Sequence, residues 1–229
     1  MRELLAKFPQ LRVVVVGDVM LDEYITGSAH RLSPEAPVPV VAVESERYVA
    51  GGSANVALNI VALGAKAELC GWVGRDAAGD KLQKKLAESG VGFDARFARP
   101  ESSTILKTRV VAGHQQLCRL DREDSPPYYD LHGPQVISWI EKKLSGASAL
   151  IFSDYAKGSL NTKLVAELTK FAHKRGIFVS LDPKPRRALK ARNLDLLTPN
   201  WKEALEMAGY SSELPPASIP NLREIVKKI

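Results

Sequence analysis

The chain has 229 residues, 45% of them hydrophobic and 25% charged, an ordinary globular composition with ample material for a core. Its formal net charge of +6 favours anionic ligands without choosing among nucleic acid, nucleotide and phosphorylated metabolite. The two cysteines, Cys70 and Cys118, have neither CxxC nor Cys/His spacing, which excludes a disulfide framework and a zinc site and fits a reducing cytoplasm, and no run of about 18 apolar residues marks a membrane span.

The opening MRELLAKFPQL carries charges through its first seven residues and has no apolar core of the signal-peptide kind. Val13 to Val16 follow, a β-branched run stopped by Gly17, and this predicts a strand buried on both faces in the middle of a parallel sheet. Asp18 and Asp22 come directly after it. In HRLSPEAPVPVVAVESERYV, Pro34, Pro37 and Pro39 forbid a helix and suit edge strands or an exposed β-flap. GGSANVALNIVALG reads as a loop entering a helix, with Val56, Ile60 and Leu63 on one face and Gly64 as the stop. ELCGWVG reads as one short strand, and Asp76 can cap the helix AAGDKLQKKLAESG. STILKTRVVAGHQQLCRLD predicts two β segments joined at Ala112, Gly113 and His114.

From Gln135 the rhythm becomes regular: helix QVISWIEKKLSG, strand ALIFSDY, helix TKLVAELTKFAHKRG, strands IFVSLDP and LDLLTPN, helix WKEALEMAG. Strands alternating with helices predict an α/β fold, a doubly wound, mostly parallel sheet with helices on both faces. The β-rich segments near residues 24–50 and 103–121 fall outside that rhythm and are expected to pair with each other as a small lid. The densest basic cluster, Lys184, Arg186, Arg187, Lys190 and Arg192, has no interleaved aromatics of the kind a single-strand stacking platform requires, so it reads as a solvated face ahead of a binding site.

In open α/β sheets the ligand sits beyond the carboxyl ends of the strands. Those ends carry Asp18, Asp154, Asp182 with Lys184, and Asn200 with Glu203 one helical turn on. A single strand-end aspartate is commonly a turn former or a cap, whereas four strand ends converging on one sheet edge point to a site. Gly51 and Gly52 allow close backbone approach at a helix entrance, and Asn55 adds a donor and an acceptor. There is no GxGxxG opening the first βα unit and no GxxxxGK[ST].

AGGSANVALNIVALG, with Gly74 closing the next strand, resembles the first signature of the ribokinase-like carbohydrate kinases, with Ser53 where another small residue is usual. GDVMLDEY, RLSPEAPVPVV, HQQLCRLD, SDYAKG, DPK and LTPNWKE extend the resemblance to heptose 7-phosphate kinases of the bacterial lipopolysaccharide pathway, from about Val13 to Gly209. The resemblance implies ATP and Mg²⁺ as cofactors, a sugar phosphate as substrate and a homodimer formed through the lid. It implies that Asp18, Gly51, Gly52 and Asn55 grip the sugar, that Asp22 either points at the sugar or braces the flap, and that Lys107, Arg109 and Arg119 take the sugar's phosphate. It also implies that Glu203 places Mg²⁺ while Asn200 and Lys184 lie near the nucleotide phosphates. The family's base comes from a Gly-Ala-Gly-Asp motif, and none follows Asn200 here; Ala78, Gly79 and Asp80 mimic it at an ordinary helix entry, so no catalytic base is assigned. In PNLREIVKKI, Asn221 and Glu224 make a capping pair and Leu222, Ile225, Val226 and Ile229 an apolar face. Residues 1–229 are therefore expected to be the N-terminal portion of a sugar kinase domain, inactive alone. The other reading is a sugar-phosphate-binding protein without catalysis.

Overall fold

The valine run forms the strand its composition predicts. In the computed structural model, which describes residues 3, 6–185, 189, 191–211 and 221–229, β1 is Arg12–Gly17. Val13 and Val15 enter one apolar cluster and Val14 and Val16 another, as the two-residue period of a strand requires. The chain continues through β2 (Val19–Leu32), β3 (Pro39–Gly52), α1 (Ser53–Ala62), β4 (Lys66–Cys70), β5 (Val73–Gly74), α2 (Ala77–Glu88), β6 (Gly92–Phe93) and β7 (Ala98–Arg99). Then come β8 (Ile105–Ala112), β9 (Gln115–Arg122), α3 (Pro134–Leu144), β10 (Ala149–Ser153), α4 (Thr162–His173), β11 (Phe178–Asp182), β12 (Leu196–Leu197), α5 (Trp201–Met207) and α6 (Leu222–Lys228).

The main sheet has six strands in the order β12-β11-β10-β1-β4-β6, every neighbouring pair parallel. The chain starts at β1, steps outward to β6, then returns beside β1 as β10 and steps outward to β12, so the direction of winding reverses between β1 and β10. Val136, Ile140 and Leu144 of α3 and Leu164 and Leu168 of α4 bury one face against Val14, Val16, Leu150 and Phe152. Leu82 and Leu86 of α2, with Ala54 and Ala57 of α1, bury the other against Val13, Val15 and Leu69. Each fully buried Val or Leu in these layers contributes about 1.5–3 kcal/mol.

A second sheet, β3-β2-β8-β9, stands apart. β2 runs antiparallel to β3 and parallel to β8, and β9 returns antiparallel to β8. β2 begins at Val19, one residue after Asp18, so the second sheet grows directly out of the reversal point of the first. Pro39 sits at the first position of β3, where a missing N–H costs least.

Two local expectations are corrected. α1 buries Ser53, Ala54 and Ala57, while Val56 and Ile60 are half-buried and Leu63 is exposed. The helix enters so close to the main sheet that the Ser53 hydroxyl donates to the Ser153 carbonyl at 3.3 Å, and only small side chains fit between them. ELCGWVG is not one strand: β4 joins the main sheet, the chain breaks at Gly71 and Trp72, and β5 pairs with β7 as a separate ribbon. Gly71 stays next to β1 there, because a Cβ would lie 2.4 Å from the Gly17 carbonyl oxygen. Asp76 does cap α2, accepting from the Gly79 N–H at 2.7 Å.

Of the basic cluster, Arg186, Arg187 and Lys190 lie outside the described residues. Among those described, no helix is long and apolar enough to cross a membrane. Burial pushes the Cys70 thiol up to about 12, and Cys118 is exposed.

Candidate functional site

Asp18 sits between β1 and β2 and Asp22 lies within β2, and the two carboxylates have different destinations. Asp18 is fully buried. Its Oδ2 accepts from the backbone N–H groups of Tyr155 at 2.8 Å and Lys157 at 3.1 Å, and its Oδ1 from that of Ser159 at 2.9 Å. Its own N–H donates to the Ser153 carbonyl, and its carbonyl accepts from Ser53. The carboxylate is thus the partner of the loop that follows β10, and it does not reach the cleft. The expectation that Asp18 meets sugar hydroxyls thus falls on a carboxylate whose two oxygens both accept from backbone donors inside the protein.

Asp22, two strand periods further along β2, lines a cleft of about 400 Å³ with Met20, Tyr24, Gly51, Gly52, Asn55, Lys107, Arg109, Arg119 and Tyr155. All six of the remaining residues expected at the sugar and its phosphate therefore meet in one place. The glycines are required there. A Cβ on Gly51 would stand 2.4 Å from Asp22 Oδ2, and Gly52, at φ 55°, would bring one to 2.4 Å from the Asp18 carbonyl oxygen. Asn55, in the first turn of α1, stays exposed.

The cations of the cleft are already paired. Arg109 Nη1 donates to Asp22 Oδ1 at 2.5 Å. Arg119 donates to both oxygens of Asp121, at 2.7 and 3.0 Å, and Lys107 Nζ to Asp121 Oδ2 at 3.3 Å. The Arg119 hydrogen bonds, with Lys107 beside them, hold the Asp121 carboxyl below the usual range against a small burial cost. The guanidinium carbons of Arg47 and Arg109 lie 5.0 and 5.3 Å from the Tyr24 ring centroid. Asp121 and Tyr155 escaped sequence reasoning; the only signal was the spacing of charges on alternate positions of predicted β segments, which does not say which strands adjoin.

A second group gathers where β11 and β12 end. Asn200 caps α5 by accepting from the Glu203 N–H at 3.0 Å, and Glu203 Oε2 accepts from the Asn200 N–H at 2.8 Å, a complete capping box. The other Glu203 oxygen bonds Lys184 Nζ. Burial works against the Lys184 ammonium, but the hydrogen bond and charge of Glu203, with Asp182, outweigh it and raise its pKa. Asp182 is pushed up by burial and by Glu203, with Lys184 opposing. Asp154 turns inward, accepting from the Ala156 N–H at 2.8 Å and the Lys184 N–H at 3.4 Å. Tyr155 stands between the two groups: it lines the cleft, and its ring centroid is 5.8 Å from Lys184 Nζ. Burial raises its phenol pKa, and the carboxylates of Asp182, Asp22 and Glu203 add to that. Asp80 lies exposed in the first turn of α2, on an ordinary helix.

A family model described as pfkB family carbohydrate kinase matches residues 10–229. The chain is 45% identical over 210 residues to the bifunctional protein HldE of Ectopseudomonas mendocina, covering 91% of this chain and 43% of that protein. It is 41% identical over 199 residues to the bifunctional protein HldE of Trichlorobacter lovleyi, covering 87% and 40%. The chain thus spans about two fifths of the length of these relatives. Among solved structures, phosphofructokinase-2 of Escherichia coli in its tetrameric inhibited form matches with a TM-score of 0.67 at 18% identity, covering 95% of this chain and 68% of that one. Arabidopsis thaliana ribokinase complexed with ribose and ATP matches with a TM-score of 0.66 at 18% identity, covering 95% and 66%. The fold is ribokinase-like.

Proposed function

The chain belongs to the pfkB family of carbohydrate kinases, and we propose that it binds D-glycero-β-D-manno-heptose 7-phosphate for transfer of the γ-phosphoryl group of ATP to the anomeric hydroxyl, giving the 1,7-bisphosphate. The observation that carries this reading is the single cleft in which Asp22, Asn55 and two close-approach glycines stand beside three cations. Asp22 accepts hydrogen bonds from sugar hydroxyls, Asn55 both donates and accepts, and Lys107 and Arg119 suit a phosphate already on the sugar. The likeness to HldE proteins supports a heptose phosphate over other sugars, and the likeness to a ribokinase complexed with ATP supports ATP as donor.

Nucleotide phosphates would lie beyond β11 and β12, with Lys184 and Asn200 beside them. Glu203 suits Mg²⁺, which keeps its waters and takes one or two carboxylates together with phosphate oxygens. Among the described residues no group of three or more His, Cys, Asp or Glu could hold an ion by itself, so a nucleotide-borne metal fits better than a protein cage. Bound there, the metal would neutralise charge on the transferring phosphoryl group. Tyr155 would form a wall beside the path between the sugar and the phosphates and help keep water from it. Binding and positioning are the tasks of residues 1–229; no residue among them is assigned as the base. A homodimer through the second sheet belongs to the proposal, since Leu32, Val43 and Leu120 of that sheet are exposed apolar residues that a partner copy would cover. A cytoplasmic location belongs to it as well.

Calorimetric titration tests the reading. Heptose 7-phosphate should bind at least tenfold more tightly than unphosphorylated heptose, and Asp22→Asn should weaken both by roughly ten- to hundredfold, the loss of a charge-assisted hydrogen bond of about 1.5–3 kcal/mol. Equal affinities for the two sugars, or an Asp22→Asn chain that binds as the parent does, would sink it.

A further inference from the structure

Strand register sets the charges of the cleft on a grid. Asp22 pairs with Lys107 and Lys107 with Asp121, which places an acid, a base and an acid in one row across β2, β8 and β9. Tyr24 pairs with Arg109 and Arg109 with Arg119, so the next row holds both arginines. Arg109 reaches diagonally across to Asp22 on β2, whereas Arg119 turns along its own strand to Asp121, two residues on. Asp121 and Asp22 thus each hold one arginine of the second row, from within a strand and from across one. Asp121 also takes Lys107, and among the described residues it is the one ion-pair partner of both cations.

The two acids differ in their surroundings. Asp22 and Arg109 are largely buried, with side chains 18% and 22% exposed, whereas Asp121 and Arg119 on the edge strand β9 are 28% and 49% exposed, with Lys107 reaching them from a more buried position at 13%. An exposed pair is weakly held and exchanges its partner readily. A phosphate monoester carries a charge of about −1.5 to −2 near neutral pH and binds the same guanidinium and ammonium groups that Asp121 now occupies. Resting on the reading of Lys107 and Arg119 as the phosphate end of the cleft, we propose that Asp121 is a specificity-determining counter-ion: it holds both cations in the free protein, and the substrate's phosphate must displace it or share them with it.

The consequence is discrimination. A lone anion meets the repulsion of Asp121 with nothing to offset it, so inorganic phosphate binds weakly. A phosphorylated sugar gains hydrogen bonds to Asp22 and Asn55 in the same cleft, which offset that repulsion. Asp121 thus disfavours the anion that would otherwise occupy the site.

The test is calorimetry on the chain with three probes at constant ionic strength: inorganic phosphate, heptose 7-phosphate and unphosphorylated heptose. Asp121→Asn should bind inorganic phosphate roughly three- to tenfold more tightly than the parent and leave the affinity for unphosphorylated heptose unchanged. Asp121→Ser, which removes the charge and shortens the side chain, should show the same gain. Weaker or unchanged phosphate binding in either folded variant overturns the role of Asp121. Arg119→Gln separates that outcome from failure of the underlying reading: if it leaves the affinity for heptose 7-phosphate intact, the phosphate does not sit on these bases. If it lowers that affinity while Asp121→Asn brings no gain, the counter-ion role alone is wrong.

Discussion

Asp18 is a buried carboxylate that organises the loop beside the cleft. Its three backbone donors belong to residues 155, 157 and 159, the loop that presents Tyr155 to the cleft. That loop holds Ala156 at φ 57°, a conformation an alanine adopts only when its surroundings impose it. An asparagine at position 18 keeps one acceptor oxygen and turns an NH₂ toward N–H groups. Asp18→Asn should therefore destabilise the fold by about 1.5–3 kcal/mol, the worth of a hydrogen bond to a charged group. Urea unfolding checks it: unchanged stability with a loss confined to sugar affinity would return Asp18 to the sugar.

At the scale of elements, two helix starts carry more than their caps. Asp76 caps α2 through the Gly79 N–H and also accepts from the Thr104 N–H at 2.8 Å and the Thr104 hydroxyl at 2.8 Å, tying the helix to the entry of β8. Burial raises its pKa, but these hydrogen bonds outweigh it and hold the carboxyl below its ordinary value of 3.8. A depressed folded-state pKa stabilises above the unfolded value and loses that contribution as pH falls through the folded one. Asp76→Ala should therefore lower stability by about 1–2 kcal/mol near neutral pH, the range for a lost N-cap, with the gap to the parent closing below pH 3.8. Melting curves from pH 7 to pH 3 would show it, and a gap of constant size would contradict the sign. At α5, Glu203 both completes the capping box and holds Lys184. Glu203→Gln keeps the box acceptor and loses the charge, so heptose 7-phosphate binding should be unchanged while Mg²⁺-dependent nucleotide binding weakens several-fold. Equal nucleotide affinity with and without Mg²⁺ in parent and variant would remove the metal role.

For the whole molecule, the reversal of winding between β1 and β10 puts the cleft, Tyr155 and the group around Glu203 along one edge of the main sheet, where open α/β sheets bind ligands. On the proposed reading, residues 1–229 hold the substrates and have no assigned proton acceptor. General-base assistance is worth about 10²- to 10⁴-fold, so this chain alone should show no heptose 7-phosphate-dependent ADP release above background. A coupled assay on the monodisperse chain decides it; turnover on the order of 1–100 per second, ordinary for kinases, would assign the base to a carboxylate already present.

Much of this architecture is legible in the sequence because its causes are local. The valine run, the helix periods after Gln135, the Asp76 cap and the Asn221–Glu224 capping pair each depend on residues a few positions apart, and the structure contains all of them. What reaches the cleft depends on contacts across the chain. Asp18 and Asp22 are equivalent as letters after a strand, and only the placement of the loop after β10, more than 130 residues on, fills the hydrogen-bonding capacity of one and leaves the other facing the cleft. The face that α1 buries was decided by how closely it lies on the main sheet. The partnership of Asp121 with Lys107 and Arg119 follows from the register of β8 and β9, which sets cross-strand neighbours by backbone pairing and not by nearness in sequence.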